Sequence, residues 1–417
     1  MKQMRWYIVF MLFVAGVISY LDRAALSVAA PLITKDLGLD PAELGIVFSS
    51  FFVGYSLFCF VGGQLADKYG AKKVLMIAML AWSVFCILTA GVVGVLSLLL
   101  VRVVFGMGEG PYATCTNKMI SEWFPAEKRT APVGLANSGQ QIGGAIAGPL
   151  VGLIAITWGW RVPFILIGLL GLVWLIFWRY VPSHKVSPAA VKETPQSGPS
   201  VAPEPTRKLS EYIKLPAVLA TSLAFFGYAY ILYFFLSWFP SFLMMERGLS
   251  LKDMSVANIF PWVFGAIGVV AGGFVCDAIS AKIKDGIKAK KVLIACSLVV
   301  SAACVALAGQ AFSITAALAL MSAAALFTNL TLSAYWGIIS DIVEPARRGG
   351  VGGFMHLMAN TAGIIAPALT GFLVQSTGTF QSGFIISGAI ALLGAIAVAV
   401  FVNTKPTQFA HAELQKV

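Results

Sequence analysis

Twelve apolar stretches, each of roughly the 18 to 25 residues that a helix needs to cross the hydrocarbon of a bilayer, recur along this chain. They run near 6–30, 43–66, 74–94, 96–118, 132–156, 161–181, 216–243, 254–276, 292–311, 313–340, 351–374 and 383–403. In hydrocarbon no water is available to satisfy peptide groups, so each stretch must pair its backbone with itself, as an α-helix does. An all-α membrane protein with twelve transmembrane helices follows. Composition excludes a soluble alternative, because 59% of the 417 residues are hydrophobic and only 11% are charged, far from the globular average. Basic residues between Met1 and Arg5 precede the first stretch as in a leader peptide, but that run is longer than a signal core and many like it follow.

Between the sixth and seventh stretches lies Val186 to Arg207, rich in Pro, Ser, Ala and Lys, which has too little apolar surface to order itself. The expected organisation is an N-terminal six-helix bundle over 1–181, a linker over 182–215, a C-terminal six-helix bundle over 216–403 and a tail over 404–417. The halves echo one another. Gly38-Leu39, Gly62-Gly63 and Asp67 recur 210 residues later as Gly248-Leu249, Gly272-Gly273 and Asp277, and Arg129 to Pro149 recurs as Arg347 to Pro367, 218 residues on. Two pseudo-symmetric bundles facing a central cavity, rocking around a midplane site, are the expected architecture.

The formal charge of +11 does not point to nucleic acid, because of where it lies. With the N-terminus inside, Lys35, Arg161, Arg247 and Lys252 fall in outer loops and Arg23 and Arg102 fall within helices; 29 basic residues less these six leaves 23 on the inner side. This asymmetry orients the chain in an inner (plasma) membrane with both termini and the linker cytoplasmic. All six cysteines lie in apolar stretches without CxxC spacing or a histidine pair, and read as small apolar fillers, with no metal or other cofactor implied. No Walker loop or Ser-His-Asp arrangement stands out, so a pump or a membrane enzyme is disfavoured. His184 and His411 are assigned no role.

Four ionisable residues inside the helices concentrate the functional question. Each costs about 2.5–3.5 kcal/mol even on lenient insertion scales, so Asp22, Arg23, Arg102 and Glu109 are unlikely bystanders. Neighbours on a helix do not share a face, and Arg102 and Glu109 are about 10 Å apart along their axis. Each charge must therefore find a partner on another helix. Side chains lean toward the N-terminus of their own helix, which pairs Arg23 with Glu109 and Asp22 with Arg102. In this reading Glu109 takes a proton and releases Arg23 to grip a carboxylate, while Asp22 is a second proton site whose protonation loosens Arg102. The alternative is a pair of fixed salt bridges that only orient helices.

Gly63-Gln64-Leu65-Ala66-Asp67-Lys68-Tyr69-Gly70-Ala71-Lys72-Lys73, with its degenerate copy Gly273-Phe274-Val275-Cys276-Asp277, resembles the signature loop of the major facilitator superfamily. The resemblance implies gating roles for Asp67, Lys72 and Asp277, with Asp67 pairing across the two halves. Arg5-Trp6-Tyr7, Tyr20 to Leu26, Arg102 with Gly106, Gly108, Glu109 and Gly110, Glu122 to Pro125, and Gly139-Gln140 are together similar to the anion:cation symporter family. That family includes carriers of galactonate, glucarate and hexuronates as well as the sialic acid and vesicular glutamate carriers, and the likeness spans the whole chain. It implies proton-coupled carboxylate transport, with Tyr20, Tyr55 and Gln140 at positions that line a sugar-acid site.

In the second half Ser333, Tyr335 and Trp336 suit a stacking and hydroxyl-binding wall, or else packing. His356, where sugar-acid carriers place an amide, is a candidate for a second carboxylate, a hydroxyl or proton transfer, with Asn360 one turn on. The expected function is symport of protons with a small organic anion, most readily a sugar acid, by a protein that needs only the bilayer and can act as a monomer. Another carboxylate, export of lipophilic cations, or a transporter-like sensor are the competing readings.

Overall fold

A computed structural model describes residues 2–125, 128–182 and 208–402. The expected tail, His184 and His411, and all but the ends of the expected linker lie outside the described residues. The described chain folds as helices α1 (Lys2–Leu37), α2 (Pro41–Tyr69), α3 (Ala71–Thr89), α4 (Val95–Glu109), α5 (Tyr112–Trp123), α6 (Thr130–Trp158), α7 (Arg161–Trp178) and α8 (Leu209–Ile213). The remainder are α9 (Pro216–Met245), α10 (Leu251–Ala257), α11 (Ile259–Ile283), α12 (Gly286–Ala308), α13 (Ile314–Leu330), α14 (Leu332–Ile342), α15 (Pro345–Thr377) and α16 (Gln381–Phe401). Twelve spans are long and apolar enough to cross a membrane. Three consist of two helices in line: α4 with α5, α10 with α11, and α13 with α14. The first break falls at Gly110-Pro111, where proline removes a backbone donor and crowds the preceding turn.

Ends of helices are set by local chemistry. Asp40 opens α2 by accepting from the Glu43 amide at 2.8 Å, and the Glu43 side chain accepts from the Asp40 amide at 3.0 Å, a reciprocal cap that satisfies two otherwise orphan donors. The two halves also close one helix each in the same way. Arg129 Nε donates to Phe124 O at 2.9 Å beyond α5, and Arg348 Nε donates to Val343 O at 3.0 Å beyond α14. In both, the arginine stands five residues after the carbonyl it caps, so the structural counterpart of Arg129 is Arg348, one residue beyond the Arg347 of the sequence echo.

The chain forms two compact units. Among the described residues, one comprises the first half up to 182 together with Leu236–Trp262 and Pro367–Phe380; the other comprises 208–235, Val263–Ala366 and 381–402. The units are thus not contiguous along the sequence, because parts of α9, α10 and α15 pack with the first six spans. In the first unit α1 lies on α6, α2 on α4, and α3 on α4 and α7; in the second, α12 lies on α13 and α16. Trp238 Nε1 donates to Pro367 O at 3.0 Å, and the Trp238 ring meets Phe48 edge-on at 5.4 Å. Large apolar side chains such as Phe10, Leu57, Phe60 and Leu96 point outward, the surface a bilayer accepts and water does not.

Candidate functional site

Glycines on α4 bring the charged residues together. A Cβ on Gly106 would overlap the Phe51 carbonyl of α2, and one on Gly108 would stand 2.8 Å from the Trp82 amide of α3. Spaced two apart, they face different neighbours and let α4 sink between α2 and α3. Glu109, next along, is thereby held wholly out of solvent. Its Oε1 accepts from Arg23 Nε at 2.6 Å and from Ser19 Oγ at 2.5 Å. Ser19 and Arg23 are four apart on α1, hence on one face, and both reach the same oxygen. The other oxygen, Oε2, has no hydrogen-bond partner. The expected pair of Arg23 with Glu109 is present.

Asp22 and Arg102 do not form the expected pair. Among the described residues no ion pair joins them. Asp22, only 1% exposed, accepts at Oδ1 from Cys86 Sγ at 2.9 Å and leaves Oδ2 without a partner. Its position is 100° around the helix from Arg23, so once Arg23 and Ser19 face α4, Asp22 faces α3. Arg102, 4% exposed, lies against the rings of Phe51 and Phe105, at 5.0 and 4.8 Å from their centroids, and its Nε has no hydrogen-bond partner. Ring contacts of this kind contribute about 0.5–2 kcal/mol, less than the several kcal/mol that burying an ion costs. Among the described residues the guanidinium has no contact ion pair, and Asp22 and Glu109 act on it only from a longer range.

Arg23 and Arg102 line one small cavity with Ser27, Phe48, Phe51, Phe52, Leu236 and Ser237. Its volume is about 10 Å³, the scale of a single water molecule. Tyr20 and Tyr55, expected as binding groups, flank Arg23 with ring centroids 5.1 and 4.4 Å from its Cζ. Gln140 is half-buried on α6 and its side chain makes no hydrogen bond among the described residues. The first half thus gathers Tyr20, Asp22, Arg23, Tyr55, Arg102 and Glu109, with Ser19 and Cys86 added. Spacing on α1 could have indicated Ser19; Cys86 had read as an apolar filler.

In the second unit the expected wall divides. Tyr335 is fully buried, its hydroxyl accepting from Thr331 Oγ1 at 3.1 Å and donating to Ala224 O at 3.4 Å. Ser333 and Trp336, three apart, are exposed together on another face. Tyr335 is therefore a packing residue of the bundle, turned away from the face Ser333 and Trp336 share. Asn360 is buried, with Nδ2 3.0 Å from His356 Nδ1 and Oδ1 accepting from Tyr233 at 3.1 Å. The His356 ring lies 6.4 Å from both Phe225 and Trp336. Close by in the same unit, Tyr228 donates to Asn329 Oδ1 at 3.2 Å. Phe225, Tyr228, Tyr233 and Asn329 carry no local pattern that distinguishes them from core residues, and sequence reasoning missed them.

Of the expected gating residues, Asp67 pairs with Lys118 Nζ at 2.5 Å, and that lysine also donates to Ala66 O at 2.9 Å. Its partner is on α5 of its own half, not across the two halves: Lys118 holds both the carboxylate and the Ala66 carbonyl, which also accepts from the Gly70 amide at 3.0 Å. Lys72 donates to Arg179 O at 3.3 Å. Asp277 is exposed and has no ion pair among the described residues, while its neighbour in the second half, Asp341, binds Lys290 at 2.6 Å.

Comparisons with known proteins agree with this architecture. The profile described as Major Facilitator Superfamily matches residues 12–286 and 283–415. A hexuronate transporter of Bacillus subtilis is 46% identical over 398 residues, 95% of this chain and 94% of that protein. A probable L-galactonate transporter of Escherichia coli is 31% identical, over 97% of this chain and 90% of that protein. Among solved structures, a bacterial homologue of the human lysosomal transporter Spinster superposes with a TM-score of 0.79 at 19% identity, covering 97% of this chain and 98% of that one. A D-xylose–proton symporter gives 0.78 at 19% identity, covering 96% and 99%. With twelve spans, the paired signature loops and a family match along nearly its whole length, this chain belongs to the major facilitator superfamily of membrane transporters.

Proposed function

We propose that this protein is a proton-coupled symporter that brings a hexuronate, or a closely similar sugar acid, into a bacterial cell by alternating access. It would sit in the cytoplasmic membrane with both termini inside and act as a monomer. The observation that carries the reading is the buried guanidinium of Arg102, which has no contact ion pair among the described residues and shares a cavity with Arg23. A carboxylate gripped there in bidentate fashion supplies the direct ion pair that Arg102 lacks. The 46% identity to a hexuronate transporter and 31% to a probable L-galactonate transporter support a sugar acid of this type.

Charge balance supplies the coupling. Two arginines and two deprotonated carboxylates make a neutral cluster. Adding one carboxylate of substrate leaves a buried excess of one negative charge unless a proton enters as well. Asp22 and Glu109 each hold one oxygen in a hydrogen bond and keep one without a partner, so each has a place for that proton. Proton on Glu109 weakens its hold on Arg23, which then turns to the substrate. Hydroxyls of the sugar would meet Tyr20, Tyr55 and Gln140 of the first half, and Ser333, Trp336, His356 and Asn360 are the proposed selecting groups of the second. A cavity of water size does not admit a six-carbon acid, so its aromatic walls must part during the cycle.

A thermal-shift series of the purified protein against hexuronates, aldonates, aldarates, dicarboxylates and lipophilic cations tests the substrate class. Stabilisation by the sugar acids and by no cation is expected. Stabilisation by cations alone would replace this reading with that of an exporter.

A further inference from the structure

Cys86 donates to Asp22 from α3, and its sulfur is also 3.3 Å from the carbonyl oxygen of Phe164 on α7. A thiol has one hydrogen and therefore serves one of these acceptors at a time. We propose that Cys86 is a positioning residue for proton coupling, a thiol that donates to Asp22 while the carboxylate is charged and turns to Phe164 once it is protonated. The inference rests on Asp22 being a proton site and adds the group that sets its working range.

The geometry leaves few other candidates for this task. Asp22 Oδ1 accepts from Cys86 alone, and Oδ2 stands bare beside it. The titratable groups acting on Asp22 are Cys86 from α3, Arg102 and Glu109 from α4, and Arg23 on its own helix. Helix α6 contains no titratable residue, and α7 contains only Arg161, which is engaged at its far end with Asp36 at 2.6 Å. Neither arginine donates to Asp22, so among the described residues the thiol is the sole hydrogen-bond donor to this buried carboxylate. A donor to the charged form favours that form. The thiol therefore opposes protonation, and losing it lets Asp22 hold its proton at higher pH.

Protons balance without any redox chemistry. The incoming proton binds Oδ2 of Asp22; the thiol keeps its own hydrogen throughout and only redirects it from Oδ1 to the Phe164 carbonyl. Charge on α1 is thereby reported to α7 through α3.

The test is uptake of radiolabelled D-glucuronate into proteoliposomes as a function of external pH, for the wild type, Cys86→Ala, Cys86→Ser and Asp22→Asn. Serine, a stronger donor of nearly the same size, should move the midpoint of uptake to lower pH, and alanine should move it to higher pH by roughly one unit, the scale of one lost hydrogen bond to a charged group. Opposite shifts in two variants that melt at the wild-type temperature are not the signature of a packing residue. Midpoints unmoved in both, or moved in the same direction, overturn the role of Cys86. Proton-driven accumulation that survives in Asp22→Asn overturns instead the reading of Asp22 as a proton site. Should alanine fail to fold, the serine shift alone decides.

Discussion

Glu109 binds Arg23 through a single oxygen, Oε1, at 2.6 Å, and keeps Oε2 without a hydrogen-bond partner. A bond of this form is strong enough to hold a charged helix pair in the membrane, yet one carboxylate oxygen stays available to a proton. In the proposed cycle, a proton on Oε2 removes the negative charge that holds Arg23 at Oε1. A bidentate pair would have engaged both oxygens.

Glu109→Gln mimics the protonated state permanently. This variant should bind and exchange the sugar acid, while accumulation driven by a pH gradient falls to the level without a gradient. Counterflow and net uptake in the same proteoliposomes separate the two. Full accumulation in the variant would remove Glu109 from coupling.

The two arginines should differ in what their loss does to the fold. Arg23→Met strands Glu109 without its counter-ion, and breaking a buried pair in this way costs about 3–5 kcal/mol. Arg102→Met removes a buried charge that has no ion partner, so the ligand-free protein should melt at the same temperature or higher. Both variants should bind substrate at least 10-fold more weakly, from the loss of a charged hydrogen bond worth about 1.5–3 kcal/mol. Calorimetric melting and binding check the pair together.

Gly106→Leu should prevent assembly of the first unit. Any side chain there meets the Phe51 carbonyl, and a Cβ would also lie 3.0 Å from the Tyr55 amide. Backbone cannot move aside as a flexible side chain does, so α2 and α4 must separate. The expected readout is loss of a monodisperse peak on size-exclusion chromatography, whereas Gly134→Ala, in open space, should behave as wild type.

His356→Ala should change which acid is preferred more than how tightly any one is held. The ring touches Asn360 and lies beside Phe225 and Trp336, and it belongs to a different compact unit from Arg23 and Arg102. Competition between hexuronates, aldonates and aldarates for uptake should reorder, with proton dependence unchanged. A uniform loss for all acids would mean that His356 supports the fold only.

The spans were legible because hydrocarbon permits only one local solution for an apolar segment, and their lengths show directly in the sequence. Arg23 with Glu109 was legible because side-chain lean and opposed helix direction bring those two to one level. The same reasoning failed for Asp22 and Arg102. It fixes height in the membrane but not rotation about the helix axis, and Ser19 with Arg23 turns that face of α1 toward α4, leaving Asp22 to α3. Cys86 was hidden by its apolar neighbours, since a thiol reads as a small hydrophobe until a carboxylate is seen beside it. Lys118 was likewise obscured, because the acid it holds, Asp67, lies 51 residues earlier.

The central claim is that anion and proton move together. Purified protein in proteoliposomes, given D-glucuronate outside and an acid-outside pH gradient, should concentrate the acid within and acidify the lumen in step with uptake, both abolished by a protonophore. Accumulation of glucuronate with no accompanying proton entry would contradict the account.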